Sequence, residues 1–237
     1  MNMVKYFFLL LLVFTGSANA QTSADHLRAG KLKDSAADYS GAIEEYNQAI
    51  ALDPKYAEAY DRMGVSKYNL KYYTAALQDF NKAIELDPKF VEAYVNRGVI
   101  KRSFLNDNNG ALLDYNKAIA LDPKYAGAYS SRAVIKSSMN DYAGAIRDCN
   151  TAIQFGLKSA KTYFNRGTAK YHLKDRAGAM ADLNKTIELD PEFSKAYFSR
   201  GVIKLDKGDK AGACADFNKA KDLGYAEAAD AVKKNCQ

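Results

Sequence analysis

Apolar and small residues return along this chain with a helical spacing, and the whole pattern repeats about every 34 residues. With units started at Ser23, Ala57, Val91, Ala126, Ala160 and Ser194, position 4 holds His26, Tyr60, Tyr94, Tyr129, Tyr163 and Tyr197. Position 8 holds Gly30, Gly64, Gly98, Ala133, Gly167 and Gly201, and position 20 is alanine in every unit, from Ala42 to Ala213. Position 24 is Tyr46, Phe80, Tyr115, Cys149, Leu183 and Phe217. Positions 4, 8 and 11 fall on one face of a 3.6-residue helix, and 20, 24 and 27 on a face of a second. Small residues at 8 and 20 let two helix axes come close, near the short end of the usual range of about 8–10 Å. Each unit is therefore predicted to be an antiparallel helix pair that cannot bury its apolar faces alone, and stacked pairs bury one continuous core.

The breaks between units carry their own signals. Asp53-Pro54, Asp87-Pro88, Asp122-Pro123 and Asp190-Pro191 stand at positions 31 and 32. Proline cannot continue a helix, and it drives the preceding aspartate out of the α region. Units four and six lack that proline and place Gly156 and Gly224 at position 31, where a left-handed stop is expected. Unit three carries one extra residue in its Asn106–Asn109 turn.

This aromatic, small, small, aromatic, small, proline order resembles the tetratricopeptide repeat (TPR) over roughly residues 23–227. The resemblance implies an all-α, right-handed superhelical solenoid with a ligand groove on its concave side. The units are 23–56, 57–90, 91–125, 126–159, 160–193 and 194–227, with residues 228–237 completing a C-terminal capping helix. The chain departs from the family at position 11, where lysine stands in all six units in place of the usual aromatic (Lys33, Lys67, Lys101, Lys136, Lys170 and Lys204).

Two further polar positions recur. Position 23 is acidic (Glu45, Asp79, Asp114, Asp148, Asp182, Asp216) and position 25 is asparagine (Asn47, Asn81, Asn116, Asn150, Asn184, Asn218). Position 7 is arginine in the last four units. In an antiparallel pair, positions 7 and 23 come together. Arg97–Asp114, Arg132–Asp148, Arg166–Asp182 and Arg200–Asp216 are therefore expected as an internal ion-pair ladder; the other reading is a charged stripe for a partner. Asparagine is a poor mid-helix residue, so six of them are expected to bond to a neighbouring unit.

Residues 1–20 do not follow the repeat. Lys5, an apolar run from Tyr6 to Phe14 and the sequence Ala18-Asn19-Ala20 read as a signal peptide cleaved after Ala20. The run is too short to span a hydrocarbon core, which takes about 20 residues. The expectation is an exported protein, periplasmic or secreted, with no transmembrane segment after signal removal; an uncleaved anchor is the alternative. Of the +6 formal net charge, Lys5 contributes one unit. The rest is spread without a basic run, so no nucleic-acid partner is expected. Export permits a disulfide. Cys214 and Cys236 lie at similar distances on either side of the turn at Gly224 and are the candidate pair, against three reduced thiols; Cys149 is read as a buried thiol.

No catalytic constellation, metal set or phosphate loop is present, and neither an enzyme nor a cofactor is expected. In the resembled family, ligands lie on first-helix positions 2, 5, 6, 9, 12 and 13. Here those positions supply Phe164, Asn165, Tyr171, Lys195, Phe198 and Arg102 as candidate groove residues for a protein or peptide, unless the rings only cover neighbouring helices. The carboxylate clamp of chaperone-binding members is not supported, because Ser130 and Val134 stand where it needs lysine and asparagine. The alternative function is a structural subunit of a cell-envelope assembly, packing through its convex face or its ends.

Overall fold

The computed structural model describes residues 21–236, so the signal-peptide reading of residues 1–20 lies outside the described residues. Unit one is α1 (Ser23–Ser35) and α2 (Tyr39–Leu52), and unit two is α3 (Ala57–Asn69) and α4 (Tyr73–Leu86). Units three and four are α5 (Val91–Ser103), α6 (Asn108–Leu121), α7 (Ala126–Ser138) and α8 (Tyr142–Gln154). Units five and six are α9 (Ala160–His172), α10 (Arg176–Leu189), α11 (Ser194–Asp206) and α12 (Lys210–Asp222), and α13 (Ala226–Asn235) closes the stack. Among the described residues there is no strand.

Chain direction is set locally. Asp38, Asp107, Asp141, Asp175 and Asp209 cap the second helices, each accepting from the N–H of a glycine three residues on. Asp53, Asp87, Asp122 and Asp190 end their helices in extended conformation and accept from the N–H two residues later, across the proline. Gly156 and Gly224 take positive φ where those prolines are missing. The core runs along the units: Ala42, Ala76, Ala111, Ala145, Ala179 and Ala213 are fully buried, as are Tyr46, Tyr115 and Cys149. Successive first helices touch one another (α1–α3, α3–α5, α5–α7, α7–α9), whereas second helices are not in comparable contact among the described residues. The first helices therefore form the shorter-radius, concave wall.

The recurrent polar positions form one network. Arg97 Nη2 lies 2.6 Å from Asp114 Oδ1, with Nε donating to Oδ2 at 3.0 Å. The same fork joins Arg132 to Asp148, Arg166 to Asp182 and Arg200 to Asp216. The position-11 lysines approach the second carboxylate oxygen at 2.8–2.9 Å. Arginine Nη1 donates to the position-25 asparagine of the preceding unit: Asn81, Asn116, Asn150 and Asn184. Each guanidinium also lies over the position-4 tyrosine of its own unit, 5.2–5.5 Å from the ring centre. The carboxylates are buried, 3–4 % exposed. These contacts hold Arg132, Arg166 and Arg200 above the ordinary guanidinium value, mainly through their aspartates.

Units one and two have Ala29 and Met63 at position 7 and are joined differently. Glu45 takes His26 Nδ1 and Lys33 Nζ, both at 2.8 Å. Asp34 bridges the units, accepting from Tyr46 Oη and Ser66 Oγ at 2.6 Å each. Between units two and three, Asn96 Nδ2 donates to Asp61 Oδ1 at 2.8 Å. Asp61 is 1 % exposed and its Oδ2 has no hydrogen-bond partner among the described residues. Burial pushes its carboxyl up to about 6. At the C-terminus, Cys214 and Cys236 are joined by a disulfide that ties α13 to α12, with Cα atoms 5.5 Å apart, and Cys149 is free and buried.

Three outcomes follow from these contacts. Asp148→Ala takes the buried carboxylate away from two part-exposed cations, Arg132 and Lys136, and is expected to lower stability by about 1.5–3 kcal/mol in denaturant unfolding, the worth of hydrogen bonds to a charged group; a loss below about 1 kcal/mol would mean the pair is not desolvated. Thiol counting on unfolded, unreduced protein should find Cys149 alone, and reduction should cost roughly 3 kcal/mol in the chain-entropy account; three titratable thiols contradict the disulfide. For Asp61, the folded pKa lies above the unfolded one. Its charged form therefore weakens the fold, and stability falls as pH rises from about 4 through about 6. Asp61→Asn should remove this loss, gaining on the order of 2 kcal/mol at pH 7 and little at pH 4; an equal effect at both pH values contradicts it.

Candidate functional site

The position-8 glycines shape the concave wall as much as its exposed residues do. A Cβ at Gly98 would lie 2.6 Å from the Tyr115 ring, and one at Gly30 would lie 2.4 Å from Tyr46. The position-24 ring therefore passes against bare first-helix backbone. In unit four the pair is Ala133 with Cys149, so the smaller partner at 24 leaves room for the added methyl. Three hollows open along this wall between successive units.

The hollow between units five and six is mainly apolar. It has a volume of about 190 Å³ and is lined by Tyr171, His172, Leu183, Phe198, Val202 and Ile203, with Gly167, Thr168 and Ser199. Tyr171 Oη donates to Asp206 Oδ2 at 3.0 Å, and Arg176 Nη2 reaches the same oxygen at 3.3 Å. Burial, reinforced by Asp206, raises the Tyr171 phenol above its ordinary value, so it stays a neutral donor. The His172 ring stacks on Tyr142, with centres 4.4 Å apart and planes 6° from parallel. Phe198 leans on Phe217 and Tyr225 at 5.5 and 5.0 Å. Tyr171 and Phe198 are thus held from behind and half-exposed in front.

A second hollow, of about 170 Å³, lies among units three, four and five. It brings Arg102 and Asn165 together with Lys161, Ser130, Ser131, Val134 and the Tyr115 ring. A third, of about 250 Å³, lies between units two and three and is lined by Val65, Tyr68, Asn69, Phe80, Asn96 and Val99.

The six candidate groove residues do not form one cluster. Tyr171 and Phe198 share a hollow, and Arg102 and Asn165 share another. Phe164 lines neither: its ring packs on Phe193, 5.0 Å away, within the apolar cluster around Leu183. Lys195 is exposed and lines a shallower opening with Asp190, Glu192 and Phe193. Phe164 is half-exposed and belongs, like Tyr171, to the cluster around Leu183, but it does not line the hollow that Tyr171 and Phe198 share. Among the described residues, no group of histidine, cysteine and acidic side chains could hold a metal ion, and no helix is long and apolar enough to cross a membrane.

Comparison with known proteins agrees with the architecture. A TPR repeat family model matches residues 37–71 and 67–101, and a tetratricopeptide repeat model matches 91–125, 160–193 and 194–231. No curated protein matches the sequence. Among solved structures, a tetratricopeptide repeat protein from Parabacteroides merdae is 23 % identical, covering 93 % of this chain and 86 % of that one with a TM-score of 0.67. The APC/C hetero-tetramer Cut9–Hcn1 gives a TM-score of 0.84 at 18 % identity, over 91 % of this chain and 43 % of that chain. This chain thus spans less than half of that one. YrrB, described as a TPR protein with an unusual peptide-binding site, gives 0.61 at 19 % identity, over 81 % and 99 %. These structural likenesses concern the fold. Together with the family matches, six helix pairs in one register and the position-8 and position-20 crossings place this chain in the tetratricopeptide repeat family.

Proposed function

We propose that this protein is an exported, non-enzymatic scaffold that binds a protein or peptide segment in the concave groove of its TPR stack. The observation that carries this reading is the hollow between units five and six. Tyr171 and Phe198 are fixed from behind by Asp206, Phe217 and Tyr225, and open in front onto about 190 Å³ of mainly apolar space. Rings held in place lose little freedom on binding, which is the property of interface hot spots. The peptide-binding site named for YrrB is consistent with a groove of this fold serving such a role. Export rests on the pattern of residues 1–20.

The test is affinity capture of partners from an envelope extract, followed by titration of the captured partner. Tyr171→Ala and Phe198→Ala are each expected to weaken binding by about 2 kcal/mol, with both variants folded by circular dichroism. Phe164→Ala, whose ring lies outside that hollow, should have the smaller effect on binding. A partner bound equally well by all three variants would place function on the convex face or the ends, and the envelope-subunit reading would replace this one.

A further inference from the structure

The last helix, α13, is the first helix of a seventh unit. Its third residue, Ala228, is fully buried, as are Ala59, Ala93, Ala128, Thr162 and Ala196 at the third place of α3, α5, α7, α9 and α11. Tyr225 precedes it as Tyr56, Phe90, Tyr125 and Phe193 precede their helices. Position 8 is then the exposed Lys233, where every other unit has glycine or alanine. Even a Cβ at Gly98 would meet the ring of its second helix, so a lysine at this place admits no second helix at that crossing. α13 packs on α12, and of its ten residues only Ala228 is buried. A helix of this length is marginal in water without packing. Two further contacts hold its ends. At the C-terminal end Cys236 is bonded to Cys214 of α12. At the N-terminal end the Tyr225 ring lies 5.0 Å from Phe198, which lines the apolar hollow with Tyr171. Both cysteines keep part of their surface in solvent, which an attacking thiolate needs.

We propose that the Cys214–Cys236 disulfide is a redox latch on the groove. Closed, it seats α13 so that Tyr225 holds Phe198 in the wall of the hollow; opened, it lets α13 and Tyr225 leave. The proposal rests on the groove-binding reading and names the regulation of that site. The co-reactant is a protein dithiol. One of its thiolates attacks one sulfur of the bond and forms a mixed disulfide, while the other cysteine leaves as a thiolate and takes a proton. The second thiol of the donor, losing its proton, then displaces the remaining cysteine. The donor ends as a disulfide and the two cysteines as thiols, a transfer of two electrons and two protons. In an oxidising compartment the bond persists and the wall stays set. Once α13 has left, Phe198 keeps Phe217 behind it but loses Tyr225 beside it. A ring free to turn loses more freedom on binding, so affinity falls. The arginine forks of units three to six do not involve α13, so the stack keeps its register.

The experiment compares the purified protein, oxidised and after dithiothreitol, by hydrogen–deuterium exchange, by the ¹³C signals of the Phe198 ring and by titration with the captured partner. On reduction the α13 amides should exchange about tenfold faster or more, the mark of local opening, with α5 and α7 unchanged. The Phe198 ring signals should shift. Partner affinity should fall about tenfold, the upper end of what one aromatic contact supplies. Oxidised Tyr225→Ala should bind as weakly as the reduced wild type, and reduction should weaken it no further; a bond that only stabilised the fold would not give that equality. Cys214→Ser combined with Cys236→Ser should match the reduced state and ignore dithiothreitol, which separates the latch from any effect on the partner. Unchanged exchange in α13, an unmoved Phe198 ring, or loss of protection throughout the stack overturns the latch. A partner that needs Phe198 yet ignores reduction also overturns it and leaves the groove reading standing. An opened α13 and a shifted Phe198 ring, with a partner indifferent to Phe198→Ala, uphold the latch and overturn the groove reading.

Discussion

The arginine at position 7 is the contact on which the later units depend. It lies at the crossing of three constraints: the acid of its own second helix, the asparagine of the preceding unit and the tyrosine ring one turn away. Helix pairs stacked by apolar faces alone can slide or rotate, because burial is non-directional. A planar guanidinium with donors fixed in a fork cannot follow such motion without losing bonds. Its aspartate is taken from water, so attraction is strong but desolvation offsets much of it. The network therefore sets the register of the stack more than it adds to its stability.

Registration matters because the groove is made between units, not within them. Tyr171 and Phe198 belong to successive units, and Tyr115, Ser131 and Asn165 to three. A shift of one unit against the next would close or misalign these hollows. The arginine ladder runs through units three to six, which form both. Units one and two use other links: the Asp34 bridge and the Glu45 cluster. Asp61, buried and among the described residues hydrogen-bonded by Asn96 alone, is a weaker join between the two parts of the wall.

The fold was largely legible in the sequence because its rules are local and repeated. Proline at position 32, the glycine at 8 and the alanine at 20 each act through sterics within one unit, and six copies show which residues the geometry demands. The four Arg–Asp pairs were legible for the same reason. What the asparagines bond to was not, because it depends on how far one unit is rotated against the next: Asn81, Asn116, Asn150 and Asn184 accept from the next unit's arginine, whereas Asn218, with no arginine-bearing unit after it, donates to Cys214 O of its own helix instead of to a neighbouring unit. That Phe164 lies against Phe193 and outside the hollow shared by Tyr171 and Phe198 was not legible either, because it depends on the ring at the unit junction.

The most direct test of this account is a double-mutant cycle between Arg166 and Asn150, the contact that joins unit five to unit four at 2.7 Å. Arg166→Met, the residue type that unit two carries at this position, and Asn150→Ala would be made singly and together and followed by denaturant unfolding. A coupling energy of about 1 kcal/mol or more is predicted, since contacting residues in one network do not behave additively. Effects that add within about 0.3–0.5 kcal/mol would show that the asparagine carries no register between units and that apolar stacking alone sets it.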